Sequence, residues 1–220
     1  MFRTLLIHRL AKPAVHVLCL APLVWLAWRG FSGDLGANPI EAINRFLGDW
    51  ALRLLLIALA VTPLRGIFGL NELARFRRML GLYAFAYVSL HLTNYIAVDQ
   101  FFDWGEIWKD IVKRTFITVG MIAFILLIPL AVTSTKGMSK RLGGLRWQKL
   151  HQVVYGVGVL GVVHFYMMVK ADVREPLIYA AILAFLLGWR VVKRFPRNGA
   201  SRKREKKKSL PDGQVGAASL

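Results

Sequence analysis

The strongest constraint on the fold is a run of nineteen residues, TFITVGMIAFILLIPLAVT (115–133), that contains no charged side chain. Such a run is typical of a helix that crosses the hydrocarbon core of a bilayer. Comparable apolar segments recur along the 220 residues, and helices are the only open-chain structure that satisfies the backbone in lipid. The sequence therefore predicts an all-α, polytopic membrane protein, a six-transmembrane-helix bundle with spans at about 13–29, 50–66, 79–98, 115–133, 151–169 and 176–192.

Positive charge is distributed unevenly between these segments. The formal net charge is +18, and 22 of the 30 Lys and Arg residues fall at the termini or in the connections after even-numbered spans. Nine of the 12 acidic residues fall on the other side. This is the positive-inside pattern, so we expect both termini in the cytoplasm. The charge thus indicates membrane topology rather than nucleic-acid binding.

The same composition predicts the domain organisation. We expect a six-span transmembrane domain over residues 1–195 and a disordered, basic cytoplasmic tail over residues 196–220, which lacks apolar periodicity. The tail is too short for a nucleotide-binding domain. The stretch GVGVLG (156–161) matches the dinucleotide fingerprint in letters, but it lies inside a predicted span and does not follow a strand. We interpret its glycines as positions where helix backbones or a flat ligand approach closely.

Two histidines lie at matched depth inside predicted spans. His91 is twelve residues from the cytoplasmic end of the third span, and His164 is thirteen residues from that of the fifth. At 1.5 Å per residue, both lie roughly 18–20 Å into the bilayer. Two histidines facing each other at one depth are what a bis-imidazole haem iron requires. Zinc would want further Cys, His or carboxylate ligands, and these spans offer none near the pair.

A metal-bound imidazole usually donates its second ring N–H to a fixed acceptor. Several side chains within one turn of His91 could accept that hydrogen bond or stack on a ring, although ordinary packing explains them equally well. They are Ser89, Thr93, Asn94 and Tyr95.

His151, at the cytoplasmic end of the fifth span, has no evident partner. A second haem bound in the same way would need a histidine about thirteen residues before His91, where the chain has Arg77 and Arg78. A guanidinium does not ligate iron, but it can bind a haem propionate, a phosphate or an anionic lipid. His16 is the other candidate ligand on that side. The sequence supports one haem and leaves a second, at His151, open.

A family resemblance extends over roughly residues 10–195. The chain resembles the MsrQ family, the haem-binding membrane subunits of bacterial periplasmic methionine-sulfoxide reductase systems, in RRMLGLYAFAYVSLHLTNY (77–95), LAVTSTKGMSKRLGGLRWQKLHQVVYGVGVLGVVHFYMMVK (130–170) and LGANPIEAINRFLGDWALRLLLIALAVTPL (35–64). Histidine positions, loop lengths and the RWQKLH sequence before the fifth span all agree. More widely, the chain resembles ferric-reductase-like transmembrane domains.

The resemblance implies a b-type cytochrome, a multi-pass protein of the bacterial inner membrane. Its electrons would come from the quinone pool or a cytoplasmic flavin reductase. They would pass to a periplasmic molybdopterin-dependent methionine-sulfoxide reductase subunit, the partner in a heterodimer that repairs oxidised proteins. The implied cofactor is haem b, with His91 and His164 as ligands and His151 as a third functional histidine. FMN is implied by the resemblance alone.

Charged residues in the loops support two further hypotheses. On the outer side, acids could dock the partner, although a solvated loop explains them as well: Asp99, Asp103, Glu106 and Asp110. On the cytoplasmic side, arginines could line a flavin or quinone headgroup site, although topology explains them equally: Arg77, Arg78, Arg141 and Arg146.

The predicted outer loops are too short to house a catalytic domain, so we interpret the chain as an electron-transfer subunit rather than a catalytic one. Two alternatives stay open. The first is a haem-containing transmembrane reductase with another acceptor, such as a ferric chelate. The second, from a different class, is a cofactor-free membrane scaffold or transporter whose histidines bind protons or one another.

Overall fold

The structure, a computed structural model, describes residues 8–169 and 171–208, with side chains for all of these except residues 136 and 194–208. Most of the described chain is helical. The α-helices are α1 (Ala11–Phe31), α2 (Pro39–Phe68), α3 (Ala74–Thr93), α4 (Trp104–Lys113), α5 (Thr115–Val132), α6 (Lys136–Leu142), α7 (Gly144–His151), α8 (Val153–Met168) and α9 (Arg174–Lys208). A 3₁₀ turn (Asn71–Leu73) precedes α3, and a π-helical turn (Asn94–Asp99) follows it.

All six predicted spans overlap these helices. Within the described residues, five segments have the length and apolar composition of a membrane span: Ala11–Phe31, Pro39–Phe68, Thr115–Val132, Gly144–Met168 and Arg174–Lys193. The third predicted span corresponds to α3, which is less apolar and carries three arginines near its start. The chain is therefore a transmembrane protein that is helical over the described residues, while the crossing of the bilayer by α3 and the cytoplasmic location of both termini stay predictions.

Helix α2 is longer at its start than the predicted span because of a capping signal. Asn38 accepts a hydrogen bond from the Glu41 N–H at 3.3 Å, and Pro39 suits the first helical position. The helix ends at Gly69, whose φ of +66° is the left-handed conformation that glycine adopts at low cost. The early start gives α2 about three extra turns, and these turns form one wall of the site described below.

Two antiparallel helix pairs form the centre of the bundle. The first is α2 with α3, and the second is α5 with α8. Their buried core includes Leu54, Ala84, Leu127 and Val157. Tyr87 of α3 is fully buried within it, and its hydroxyl donates to the carbonyl of Cys19 at 2.7 Å, which joins α1 to the core.

Helix α9 packs against α2 and α8 and continues beyond the apolar part of the chain. Arg53 of α2 donates to the Tyr179 hydroxyl of α9 at 2.7 Å. Residues 196–208, for which composition predicts disorder, continue the helix, consistent with the good helix-forming tendency of Lys, Arg and Glu. The rest of the predicted tail, residues 209–220, lies outside the described residues, and the domain boundary at 195 stays a prediction.

Candidate cofactor site

A cavity of about 250 Å³ lies between the two helix pairs. His91 of α3 and His164 of α8 both line it, together with apolar side chains of α2 and α5. One end of the cavity, away from the arginines of α3, carries its polar side chains: Asn44, Arg45, Asp49, Tyr95, Asp99 and Arg114. The site is thus an apolar chamber with a charged mouth and two imidazoles inside.

The structure brings the two histidines predicted to share a depth into direct opposition. Their ring centroids are 6.2 Å apart, and the ring planes are inclined at 86°. Metal–imidazole bonds of about 2 Å on opposite sides of one ion place two ring centroids roughly 6 Å apart. The observed separation therefore fits two axial ligands of a single metal.

Hydrogen bonds fix the orientation of both rings. Nδ1 of His91 lies 2.9 Å from the carbonyl oxygen of Asn44, and Nδ1 of His164 lies 2.6 Å from that of Phe116. A carbonyl oxygen can only accept, so each Nδ1 carries the proton and donates it. Each neutral ring then has its lone pair on Nε2, the nitrogen that ligates a metal when Nδ1–H donates to a carbonyl.

The acceptors differ from those predicted around His91. Three of the four candidate side chains have other partners: Ser89 donates to the Phe85 carbonyl at 2.8 Å, Asn94 to the Ile40 carbonyl at 3.3 Å, and Tyr95 to the Asp110 carboxylate at 3.0 Å. The His91 imidazole instead donates its hydrogen bond to a backbone carbonyl of the neighbouring helix α2. Sequence reasoning missed this contact because it joins residues 47 positions apart.

The protein side chains available as metal ligands distinguish haem iron from zinc, the two metals that the sequence left as alternatives. Within residues 8–169 and 171–208, no group of three or more His, Cys, Asp or Glu side chains could hold a metal ion. Structural zinc sites use four protein ligands and catalytic ones use three, whereas a porphyrin iron needs only axial ligands from the protein. The apolar chamber suits the macrocycle, and Arg45 and Arg114 at its mouth suit carboxylate substituents.

A second cavity, of about 110 Å³, lies toward the arginine-bearing end of the bundle. Arg77, Arg78, Arg190 and His151 line it. The His151 ring stacks on Trp147 with centroids 4.0 Å apart, and its Nε2 lies 3.1 Å from the Thr133 hydroxyl. No carboxylate side chain belongs to the described lining of this cavity, so its electrostatic character is cationic.

Of the residues predicted near His151, only some are brought together. Arg77 and Arg78 share its cavity, whereas Arg141 and Arg146 do not line it. His16 bonds the Tyr83 hydroxyl at 2.7 Å and does not line it either. No second histidine therefore faces His151 across the described part of this cavity.

Arg190 is a lining residue that the sequence reasoning missed. Its guanidinium donates to the carbonyls of Leu186, at 2.6 Å, and Leu59, and it lies over the Tyr155 ring at 5.2 Å from the centroid. The signal was available, because Arg190 interrupts an otherwise apolar stretch, LLGWRVV (186–192). A charged residue in such a stretch usually faces the interior of a bundle or a polar cavity.

An apolar wall separates the two cavities. Leu55 and Leu127 line both of them. Phe124, on the side of the larger cavity, stacks on Phe85, on the side of the smaller one, with centroids 5.8 Å apart and planes at 6°. These four side chains belong to the wall.

All four acids proposed as docking residues have partners within the chain. Asp99 accepts a hydrogen bond from the side-chain amide of Gln100 at 3.4 Å. Asp103 accepts from the first N–H groups of α4, at 3.0 and 3.1 Å. Glu106 pairs with Lys109 at 2.5 Å, and Asp110 pairs with Arg114 at 3.0 Å. These acids thus stabilise the structure of the loop that contains them.

Comparison with known proteins agrees with this architecture. Residues 47–162 match the family model of the ferric reductase like transmembrane component, which defines the class of protein. The "Protein-methionine-sulfoxide reductase heme-binding subunit MsrQ" of Rhodospirillum rubrum is 59% identical over 194 residues, covering 88% of this chain and 93% of that protein. Proteins of the same name are 57% identical in Caulobacter vibrioides (80% and 84% covered) and 53% identical in Xanthomonas campestris pv. campestris (84% and 87% covered). The chain belongs to the MsrQ family.

Proposed function

We propose that this chain is a b-type cytochrome subunit of the bacterial inner membrane. It passes electrons across the bilayer to a periplasmic, molybdopterin-dependent methionine-sulfoxide reductase. At the partner, a sulfoxide, two electrons and two protons give a thioether and one water, the reversible repair of oxidised methionine. The chain itself is an electron-transfer subunit, and the sulfoxide chemistry belongs to the partner of the heterodimer.

The opposed imidazoles are the observation that carries the proposal. His91 and His164 would hold one haem b, since both Nε2 lone pairs are free and the ring separation suits a shared iron. Bound there, the haem supplies a one-electron carrier within the bilayer. The surrounding helices supply apolar walls and fix the imidazoles. Arg45 and Arg114, which pair with Glu41 and Asp110 in this structure, would bind the haem carboxylates.

The cationic cavity supports a donor site on the cytoplasmic side. Arg77, Arg78 and Arg190 offer guanidinium donors to an anionic group, and Trp147 and Tyr155 offer aromatic faces to a flat ring. An FMN phosphate and isoalloxazine, or the headgroup of a quinol, would suit these contacts. A flavin reductase or the quinone pool is therefore the proposed electron source.

We propose one haem per chain rather than two. His151 faces arginines instead of an imidazole, and its Nε2 already interacts with Thr133. A second haem would leave His151 with no described histidine opposite it. The role proposed for His151 is in the donor cavity, at the edge of the membrane.

Haem counting tests the proposal. The full-length chain, produced with ample haem supply, should show one haem per polypeptide by pyridine haemochrome and a reduced-minus-oxidised spectrum of a low-spin b-type cytochrome. His91→Ala and His164→Ala should each abolish that spectrum. His8→Ala is the matched control, because His8 is exposed and lines neither cavity. Colourless wild-type protein would instead favour the cofactor-free scaffold or transporter.

A second candidate function differs only in the acceptor. The matching family model takes its description from ferric reductases, so a ferric chelate is the alternative electron acceptor. Membrane vesicles holding the dithionite-reduced chain distinguish the two. Reoxidation by the periplasmic reductase with methionine sulfoxide supports our proposal, whereas reoxidation by ferric citrate alone supports the alternative.

A further inference from the structure

Two glycines pack directly against the imidazoles of the site. A Cβ atom at Gly120 would lie 2.8 Å from Nδ1 and 2.9 Å from Cε1 of His164. A Cβ atom at Gly48 would lie 3.3 Å from the same two atoms of His91. Alanine at 120 would therefore force the His164 ring to move, whereas alanine at 48 would require a shift of only a few tenths of an ångström.

Each glycine lies four residues after the residue whose carbonyl accepts the hydrogen bond from the imidazole. Asn44 precedes Gly48 by four residues, and Phe116 precedes Gly120 by four. Because the Cα–Cβ bond tilts toward the N-terminus of a helix, a side chain covers the turn that precedes it. A side chain at 48 or 120 would thus cover the carbonyl one turn earlier. Glycine leaves that carbonyl open to a second hydrogen bond from outside the helix.

We propose that Gly48 and Gly120 are positioning residues for the two axial imidazoles. Each clears the carbonyl one turn before it, so that Nδ1–H donates there and Nε2 is aimed into the cavity. The same hydrogen bond makes the ring a more basic ligand. The arrangement occurs twice, on α2 facing His91 and on α5 facing His164. This inference rests on the proposed ligation of haem by these histidines.

Close packing of membrane helices also selects glycine, and the chain supplies controls that separate the two explanations. A Cβ at Gly158 would meet Leu183 at 3.2 Å, so alanine there strains helix packing and contacts no histidine. Gly156 of α8 faces open space, and Gly81 of α3 faces the smaller cavity and does not line the larger one. Each shares a helix or span with one of the two proposed ligand histidines. Alanine at these two positions should be neutral or stabilising, because glycine is the poorer helix former.

The test compares five variants of the full-length chain, purified after production with ample haem: Gly48→Ala, Gly120→Ala, Gly81→Ala, Gly156→Ala and Gly158→Ala. Haem per chain, ferric spin state and midpoint potential are measured. We expect Gly120→Ala to bind haem roughly 10- to 100-fold more weakly, as is usual when support around a metal ligand is lost, and to become partly high-spin. Gly48→Ala should keep its haem at a more positive potential, because a less basic imidazole stabilises ferric iron less. The other three variants should match the wild type.

Wild-type haem content and potential in both Gly48→Ala and Gly120→Ala would overturn the inference. An equal loss of haem in Gly158→Ala would also overturn it, in favour of helix packing. If Gly120→Ala does not fold, as judged by the size and helicity of the haem-free protein, the potential of Gly48→Ala decides alone. Failure of the proposed function is a separate result: either the wild-type protein would be colourless, or His91→Ala and His164→Ala would keep the wild-type spectrum.

Discussion

The rings of His91 and His164 face each other nearly at right angles, with planes inclined at 86° and centroids 6.2 Å apart. Their orientation is fixed by two separate helices, α2 and α5, whose carbonyls accept the Nδ1 protons. Neither ring can rotate toward the plane of the other without losing its hydrogen bond. The mutual angle of the rings is therefore a property of the protein, and it has a spectroscopic consequence.

If the two imidazoles bind a low-spin ferric haem with perpendicular planes, the dxz and dyz orbitals of the iron are nearly equal in energy. The oxidised protein should give a strongly anisotropic electron paramagnetic resonance signal with a single large g value. Parallel planes would give a resolved rhombic signal instead. Observation of the rhombic signal in the wild-type chain would contradict the ring geometry described above.

The cationic cavity predicts a defined effect of its arginines on the electron donor. Arg77→Gln and Arg78→Gln should each weaken the binding of reduced FMN, a proposed donor, about tenfold. A hydrogen bond to a charged group contributes about 1.5 kcal/mol or more, which corresponds to that factor. Stopped-flow reduction at several FMN concentrations measures this effect as an increase in apparent Kd. Arg141→Gln and Arg146→Gln are charge-matched controls outside the cavity, and an equal effect in these variants would indicate general surface charge instead.

Buried Tyr87 predicts a stability effect independent of any cofactor. Tyr87→Phe removes the donor of a second hydrogen bond to the Cys19 carbonyl, which lies inside α1 and keeps its helical hydrogen bond. Because one hydrogen bond is lost and no buried acceptor is left unsatisfied, we expect the free energy of unfolding to fall by about 0.5–1.5 kcal/mol. Denaturation of the detergent-solubilised, haem-free protein measures this change. Tyr83→Phe is the control, because its bond to His16 is exposed and should contribute less.

Membrane topology is testable with single cysteines on either side of α3. In a Cys19→Ser background, we introduce Ala74→Cys and, separately, Glu106→Cys, both at exposed positions. An impermeant maleimide added to spheroplasts should label position 106, and position 74 only after the membrane is opened. Labelling of both positions from the same side would show that α3 does not cross the bilayer, and the six-span arrangement would be wrong.

The sequence is sufficient to predict the long helices and the pairing of the histidines, because both follow from one-dimensional regularities. The short helices α4, α6 and α7 were not predicted. Long apolar runs require membrane helices, and the positions of His91 and His164 along parallel spans fix their depth. α3 is the exception in composition, since contacts with α2 rather than lipid surround much of its surface. Its arginines reduce the apolar signal at the end that lines the smaller cavity.

Contacts between helices that are distant in sequence could not be predicted from the sequence. The acceptors for the imidazole protons are backbone carbonyls, which no residue type identifies. Sequence reasoning also placed importance on the glycines at 156–161, yet only some of them have close neighbours. Gly158 would contact Leu183, whereas Gly156 faces open space. The glycines that contact the histidines, Gly48 and Gly120, lie on other helices and form no recognisable motif.

The apolar wall between the cavities bears on the energetics of the membrane. Four of its side chains, Leu55, Phe85, Phe124 and Leu127, carry no titratable group, so they lie on the proposed route of the electron and do not themselves transfer a proton. Each transfer then moves a net negative charge outward, and a membrane potential that is negative inside assists it by about 2.3 kcal/mol per 100 mV for a full crossing. The proposed repair of oxidised protein in the periplasm would thus draw on the electrical gradient as well as on the donor, and it would slow in a depolarised cell.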